Sequence, residues 1–128
     1  MSNTPPKILL IEDDQFLQTL AVQKFTKEGF QTISAMDGER GIMLAEKEIP
    51  DVILLDILLP GIDGFAVLTR MQANPALQSV HVFMLSNYSQ PEDVARAQAL
   101  GAERFLIKAD YTLDQIADMV KESLTVQK

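Results

Sequence analysis

Three acidic residues, Glu12, Asp13 and Asp14, stand in a row directly behind an apolar stretch. A single carboxylate, Asp56, interrupts a second apolar stretch, between Val52-Ile53-Leu54-Leu55 and Ile57-Leu58-Leu59. A hydroxyl, Ser86, and an ammonium, Lys108, close two more. Taken singly, most of these have ordinary explanations: an acid ahead of a helix caps it, and a lysine at the end of a strand is solvated. Asp56 resists such an explanation, because a carboxylate among so many aliphatic neighbours loses its water and needs a partner. If the stretches lie side by side, Glu12 and Asp13 come close to Asp56. Two carboxylates about 4 Å apart repel by roughly 4 kcal/mol at an effective dielectric near 20. A hard divalent cation removes that repulsion, and all-oxygen ligands suit Mg2+, which keeps several waters and accepts phosphate oxygens. Asp56 is then expected to act as a nucleophile toward a phosphoryl group. The ion and Lys108 would stabilise charge on the equatorial oxygens. Ser86 would hydrogen-bond a phosphoryl oxygen, and the product would be an acyl phosphate on Asp56.

These residues must be positioned by alternating elements. Apolar runs at Lys7–Ile11, 31–34, 51–55, 80–85 and Arg104–Ile107 read as strands, the second of them weak. Four are almost continuous in aliphatic and aromatic residues, the pattern of strands buried on both faces. His81, the sole histidine, falls inside one run and reads as a satisfied core residue rather than a ligand. Between the runs, helices are expected after caps at Asp14, Asp37 and Asp63, and after capping boxes Ser89/Glu92 and Thr112/Gln115. Leu17, Leu20, Ala21 and Phe25 should share one face of the first helix, and Leu113, Ile116, Ala117, Val120 and Leu124 form a stripe on the last. Five βα repeats imply an α/β fold, a doubly wound five-stranded parallel sheet of flavodoxin-like type. The expected strand order is 2-1-3-4-5, with ligands at the carboxyl ends of the strands, beside the switch between strands 1 and 3.

The 128 residues suit one domain, taken as 1–128. With no cysteine, thiolate metal sites and cysteine nucleophiles are excluded. A net charge of −7 argues against binding nucleic acid or anionic membrane through bulk charge. No stretch is apolar enough to span a bilayer, and the polar N-terminus lacks a signal-peptide core, so a cytoplasmic location is expected.

The segments KILLIEDD, DVILLDILLPGIDG, MLSN and GAERFLIK together resemble the receiver domain of two-component response regulators, over about residues 7 to 124. The resemblance implies that Glu12, Asp13, Asp56 and the backbone carbonyl of Leu58 hold Mg2+, and that Asp56 accepts phosphate. It makes Ser86 and Phe105 the switch pair, Lys108 the partner of the phosphoryl group, and Pro60 and Gly64 parts of the turn after the central strand. It also implies a sensor histidine kinase or phosphotransfer protein as donor. The output would be a protein target at the face of the fourth helix, fifth strand and fifth helix, or a phosphorylation-dependent dimer. Such a domain catalyses only its own modification and is not a turnover enzyme.

The chain departs from the family pattern at several positions. Ala109 follows Lys108 where a proline is usual, so a trans bond and a rearranged loop are expected. Asn87 follows Ser86 where a smaller residue is common, which should alter access to Asp56 or add a hydrogen bond. Leu58 and Tyr88 offer no good group for orienting water, which predicts slow loss of phosphate. Phe105 cannot donate the hydrogen bond of a tyrosine, so its turning should follow packing alone. Three other functions suit the same fold. A phosphorylation-independent adaptor would be favoured by loss of a site residue, and none is lost. A flavin or nucleotide binder needs a loop unlike Glu12-Asp13-Asp14. An aspartyl phosphatase needs its nucleophile on the first strand.

Overall fold

In the computed structural model, which describes residues 4–87 and 90–125, strands and helices alternate throughout. The elements are β1 (Lys7–Ile11), α1 (Gln15–Lys27), β2 (Gln31–Ala35), α2 (Gly38–Glu48), β3 (Val52–Asp56), α3 (Gly64–Gln72), β4 (His81–Ser86), α4 (Pro91–Ala99), β5 (Arg104–Ile107) and α5 (Leu113–Leu124). Short 3-10 turns occupy Pro75–Leu77 and Lys108–Asp110. All strand pairs are parallel, in the order β2-β1-β3-β4-β5. The expected doubly wound α/β sheet is therefore present, with its topological switch between β1 and β3.

The period of two along each strand divides the core into two layers. Leu9, Ile11, Ile53, Leu55, Val82 and Met84 pack on one face against α2, α3 and α4. Ile8, Leu10, Leu54, Phe83, Leu85 and Leu106 pack on the other against α1 and α5. Burial on both faces is why these strands read as unbroken apolar runs.

Side-chain caps start four helices. Asp14, Asp37 and Asp63 accept hydrogen bonds from the N–H groups of Leu17, Arg40 and Ala66 at 3.0, 2.8 and 2.9 Å. Thr112 and Gln115 form the reciprocal box of α5. The fourth helix begins differently: Gln90 is its N-cap without a side-chain bond, and Pro91 takes the first position, where a missing N–H costs nothing. Ser89, proposed as its cap, lies outside the described residues.

Strand ends differ from expectation in one consistent way. β3 and β4 begin one residue later than the apolar runs, because Asp51 accepts the Lys7 N–H at 2.7 Å and Val80 closes a turn onto the Leu77 carbonyl at 3.2 Å. Each runs one residue further: Asp56 ends β3, as expected, and Ser86 is the last residue of β4 rather than the first after it. On α1, only Ala21 and Phe25 of the expected face are buried; Leu17 and Leu20 are about 40% exposed (41% and 39%). His81 is a buried core histidine, its Nδ1 2.5 Å from Glu103 Oε1 and 3.0 Å from Ser123 Oγ. No helix among the described residues is long and apolar enough to cross a membrane.

Candidate functional site

Glu12, Asp56 and Lys108 lie at the carboxyl ends of β1, β3 and β5. Glu12 extends the ladder one step past β1, its N–H donating to the Ala35 carbonyl at 3.0 Å. The Gln18 amide on α1 clamps that step by donating to the carbonyls of Glu12 and Ala35, both at 3.1 Å. Asp56 is held in the sheet opposite Leu85, and the next N–H, of Ile57, donates to the Leu85 carbonyl at 3.2 Å. The chain then loops outward and returns to Gly64, whose N–H donates to the Ile57 carbonyl at 2.8 Å. A Cβ on Gly64 would lie 2.8 Å from Ile57 Cα, so only glycine lets α3 start against the backbone that follows Asp56.

Lys108 ties these ends together. Its Nζ donates to Glu12 Oε1 at 2.6 Å and to Asp56 Oδ2 at 2.9 Å. The second Glu12 oxygen accepts the Asp14 N–H at 3.1 Å. Glu12 and Asp56 are buried and Asp13 is exposed, and each offers a carboxylate oxygen within 4.8 Å of the other two. Burial pushes the Glu12 carboxyl above its ordinary value of 4.5; the bonds from Lys108 and Asp14 oppose this, and the nearby Asp56 charge reinforces it. Burial works against the Lys108 charge, yet its bonds to Glu12 and Asp56 outweigh that and raise it above 10.5. An ammonium here partly neutralises a cluster that otherwise repels itself.

A cleft of about 250 Å³ lies over this cluster, lined by the three carboxylates, Asp14, Leu58, Asn87 and Lys108. Leu58 stands at its rim, more than half exposed. Ser86, one residue past the neighbour of Asp56, is buried and opposite Ile107 of β5; it does not line the cleft. Phe105 is half-buried on β5, opposite Met84 and packed against the core layer of α2, α3 and α4. Tyr88 lies outside the described residues. No peptide bond among the described residues is cis, the trans Lys108–Ala109 bond included, and the chain after β5 makes a 3-10 turn over Lys108–Asp110. The fold thus brings Glu12, Asp13, Asp56 and Lys108 into contact range, and leaves Ser86 and Phe105 in the neighbouring strands. Two features escaped the sequence reading: the Gln18 clamp, and the direct pairing of Lys108 with Glu12. Nothing in the spacing of these residues signals either.

A hard-cation donor set at a sheet switch point, with one lysine across it, narrows the relatives this chain could have. The sequence profile of the response regulator receiver domain matches residues 8–121. The chain belongs to that family. This receiver is 32% identical over 121 residues to sporulation initiation phosphotransferase F of Bacillus subtilis, covering 94% of this chain and 95% of that one. It is 35% identical over 103 residues to the transcriptional regulatory protein AfsQ1 of Streptomyces coelicolor, covering 80% of this chain but 44% of that longer protein. The receiver thus spans less than half of AfsQ1. In structure it is similar to a CheY-like response regulator receiver domain protein from Methanospirillum hungatei, with a TM-score of 0.87, 23% identity and 94% of each chain covered. At that identity the likeness speaks for the fold. The protein is a receiver domain of two-component response regulators.

Proposed function

We propose that Asp56 is the phosphoacceptor of this receiver and that Glu12, Asp13 and Asp56 hold Mg2+, with the Leu58 carbonyl as a further ligand. The observation that carries this is the convergence of three carboxylates, two of them buried, within 4.8 Å, with Lys108 bonded to both buried acids. The donor set fits the ion: all oxygen, hard, and in excess of the positive charge that faces it. When bound, the ion supplies charge neutralisation at the acids and at the incoming phosphoryl oxygens. The chain's own groups do the rest. An Asp56 carboxylate oxygen forms the new bond to phosphorus as the bond from phosphorus to the donor's histidine nitrogen breaks; the imidazole leaves and takes up a proton. Lys108 shifts its bonds from the acids to the phosphoryl oxygens. Ser86 turns toward the phosphoryl group and Phe105 follows inward, altering the face of α4, β5 and α5. The domain thereby catalyses its own phosphorylation and its hydrolysis.

The donor is a sensor histidine kinase or a phosphotransfer protein, a reading supported by the phosphotransferase named among its relatives. The output is a protein bound at the α4–β5–α5 face or a dimer formed there, in the cytoplasm, with residues 1–128 acting as one receiver unit. The test is incubation with acetyl phosphate and Mg2+ followed by intact-mass measurement. One phosphoryl addition is expected, absent with Asp56→Ala and absent with EDTA. Addition that survives Asp56→Ala would sink the assignment.

A further inference from the structure

Asp13 differs from the other two acids of the cluster in how it is held. Glu12 and Asp56 are buried and bonded to Lys108 at 2.6 and 2.9 Å. Asp13 is exposed, so the place of its carboxylate depends on its backbone. Three consecutive peptide units run past it. The first is pinned by the Glu12 N–H, which donates to the Ala35 carbonyl at 3.0 Å. The third is pinned by the Asp14 N–H, which donates to Glu12 Oε2 at 3.1 Å. The middle unit, which joins Glu12 to Asp13, is gripped from α1: Gln18 Nε2 donates to the Glu12 carbonyl and to the Ala35 carbonyl, both at 3.1 Å. A side-chain amide nitrogen has two hydrogens to give, and here each goes to one carbonyl. Gln18 is half-buried while its neighbours Leu17 and Thr19 are exposed. Its own N–H donates to the Asp14 carbonyl at 2.9 Å, which anchors the grip in the first turn of α1.

We propose that Gln18 is a positioning residue for Mg2+ binding: it fixes the peptide plane between Glu12 and Asp13 and so keeps the Asp13 carboxylate beside Glu12 and Asp56. This rests on the assignment of Mg2+ to those acids. A peptide plane is rigid, but the dihedrals on either side of it are soft. Turning this plane swings the Asp13 side chain, and Glu12 cannot follow, because its two carboxylate oxygens are bonded to Lys108 and to the Asp14 N–H. Oxygens of the three acids lie within 4.8 Å of one another. Their repulsion drives outward the acid that has water to move into, which is Asp13. The grip of Gln18 opposes that motion from the backbone side. Its donors are neutral, so unlike Lys108 it leaves the negative charge of the site undiminished for a cation. The ligands are gathered when the chain folds rather than when the ion arrives, which is the gain of preorganisation. Groups that orient metal ligands without touching the ion are worth about 10–100-fold in affinity.

The full chain, labelled with 15N and stripped of divalent metal, would be titrated with MgCl2 while amide resonances are followed. In the parent, the Asp13 backbone amide and the Gln18 side-chain amide should shift saturably with a common midpoint. Gln18→Met keeps the length of the side chain and loses both donors. It should displace the Asp13 amide resonance before any metal is added, and should weaken Mg2+ binding about tenfold or more. Thr19→Val is the control on the same helix: it removes a hydroxyl bond of 2.9 Å to the Gln15 carbonyl and should leave the affinity unchanged. Circular dichroism would establish that the variants fold; if Gln18→Met does not, the response of the Gln18 side chain in the parent decides. Absence of any saturable shift in the parent would remove the Mg2+ assignment itself, and this proposal with it. Where the parent does bind Mg2+, three results overturn the positioning role alone: a Gln18 side chain that does not respond, an unchanged affinity in folded Gln18→Met, or an equal loss in Thr19→Val.

Discussion

Replacing Lys108 with methionine isolates what one ammonium does for this molecule, because the side chain keeps its length and loses its charge. Carboxylate oxygens of Glu12 and Asp56 lie within 4.8 Å of each other. At an effective dielectric near 20, two charges at that distance repel by about 3 kcal/mol. The parent offsets this through bonds of 2.6 and 2.9 Å to Lys108, whose side chain is 17% exposed. Without metal at neutral pH, Lys108→Met should therefore lose about 3 kcal/mol of stability, in line with the cost of breaking a buried pair from one side. The pH dependence has a definite sign. A carboxyl whose folded pKa stands above its unfolded value contributes stability that is complete below the unfolded value and is lost as pH rises through the folded one. Glu12 is already raised above 4.5 by burial, and removing Lys108 takes away the strongest opposing influence. The variant should thus regain stability on acidification, from a higher pH than the parent. Mg2+ should rescue it more strongly than it stabilises the parent, because the ion no longer competes with an ammonium for the same oxygens. A gain of 1.4 kcal/mol or more corresponds to at least tenfold tighter Mg2+ binding, even as acyl-phosphate formation falls. Urea unfolding with and without saturating Mg2+, at neutral and mildly acidic pH, measures all of this. A variant as stable as its parent without metal, or one that gains no more from Mg2+, would refute the electrostatic account of the cluster.

Other outcomes follow from single contacts. Gly64→Ala places a Cβ against the backbone after Asp56, where Ile57 Cα would be only 2.8 Å away. It should cost about 1–3 kcal/mol and lower the yield of phosphorylated protein, read by thermal unfolding and intact mass. Because burial raises Glu12, the affinity for Mg2+ should begin to fall on acidification above the range of a solvated carboxylate, and Glu12→Gln should flatten that part of the profile in calorimetric titrations. Leu58 stands exposed at the cleft and offers no polar group to a water. Leu58→Asn should therefore shorten the lifetime of the phosphorylated protein at least severalfold, given that a positioned polar group is worth roughly a hundredfold or more at best; an unchanged decay rate would count against a role for that position.

Residue types and short spacings determined the elements and much of the site. The unbroken runs around Leu9, Leu54 and Phe83 made buried parallel strands readable, and Asp14, Asp37, Asp63 and Thr112 cap the helices they precede. The same spacing placed Glu12, Asp13, Asp56 and Lys108 at carboxyl ends of strands, where a doubly wound sheet gathers them. These are local signals: periodicity and capping involve residues a few positions apart, so they are written directly in the chain. Only the tertiary structure decided that Lys108 bonds Glu12 across 96 positions, that Gln18 clamps the end of β1, and that Glu103, His81 and Ser123 form one polar cluster. It also decided that Leu17 and Leu20 stay half-exposed while Ala21 and Phe25 of the same face are buried. Such pairings depend on where rigid elements of fixed length come to rest against one another. A few ångströms separate an ion pair from two solvated charges, or a filled core from a cavity, and no local pattern of residues specifies a distance of that kind.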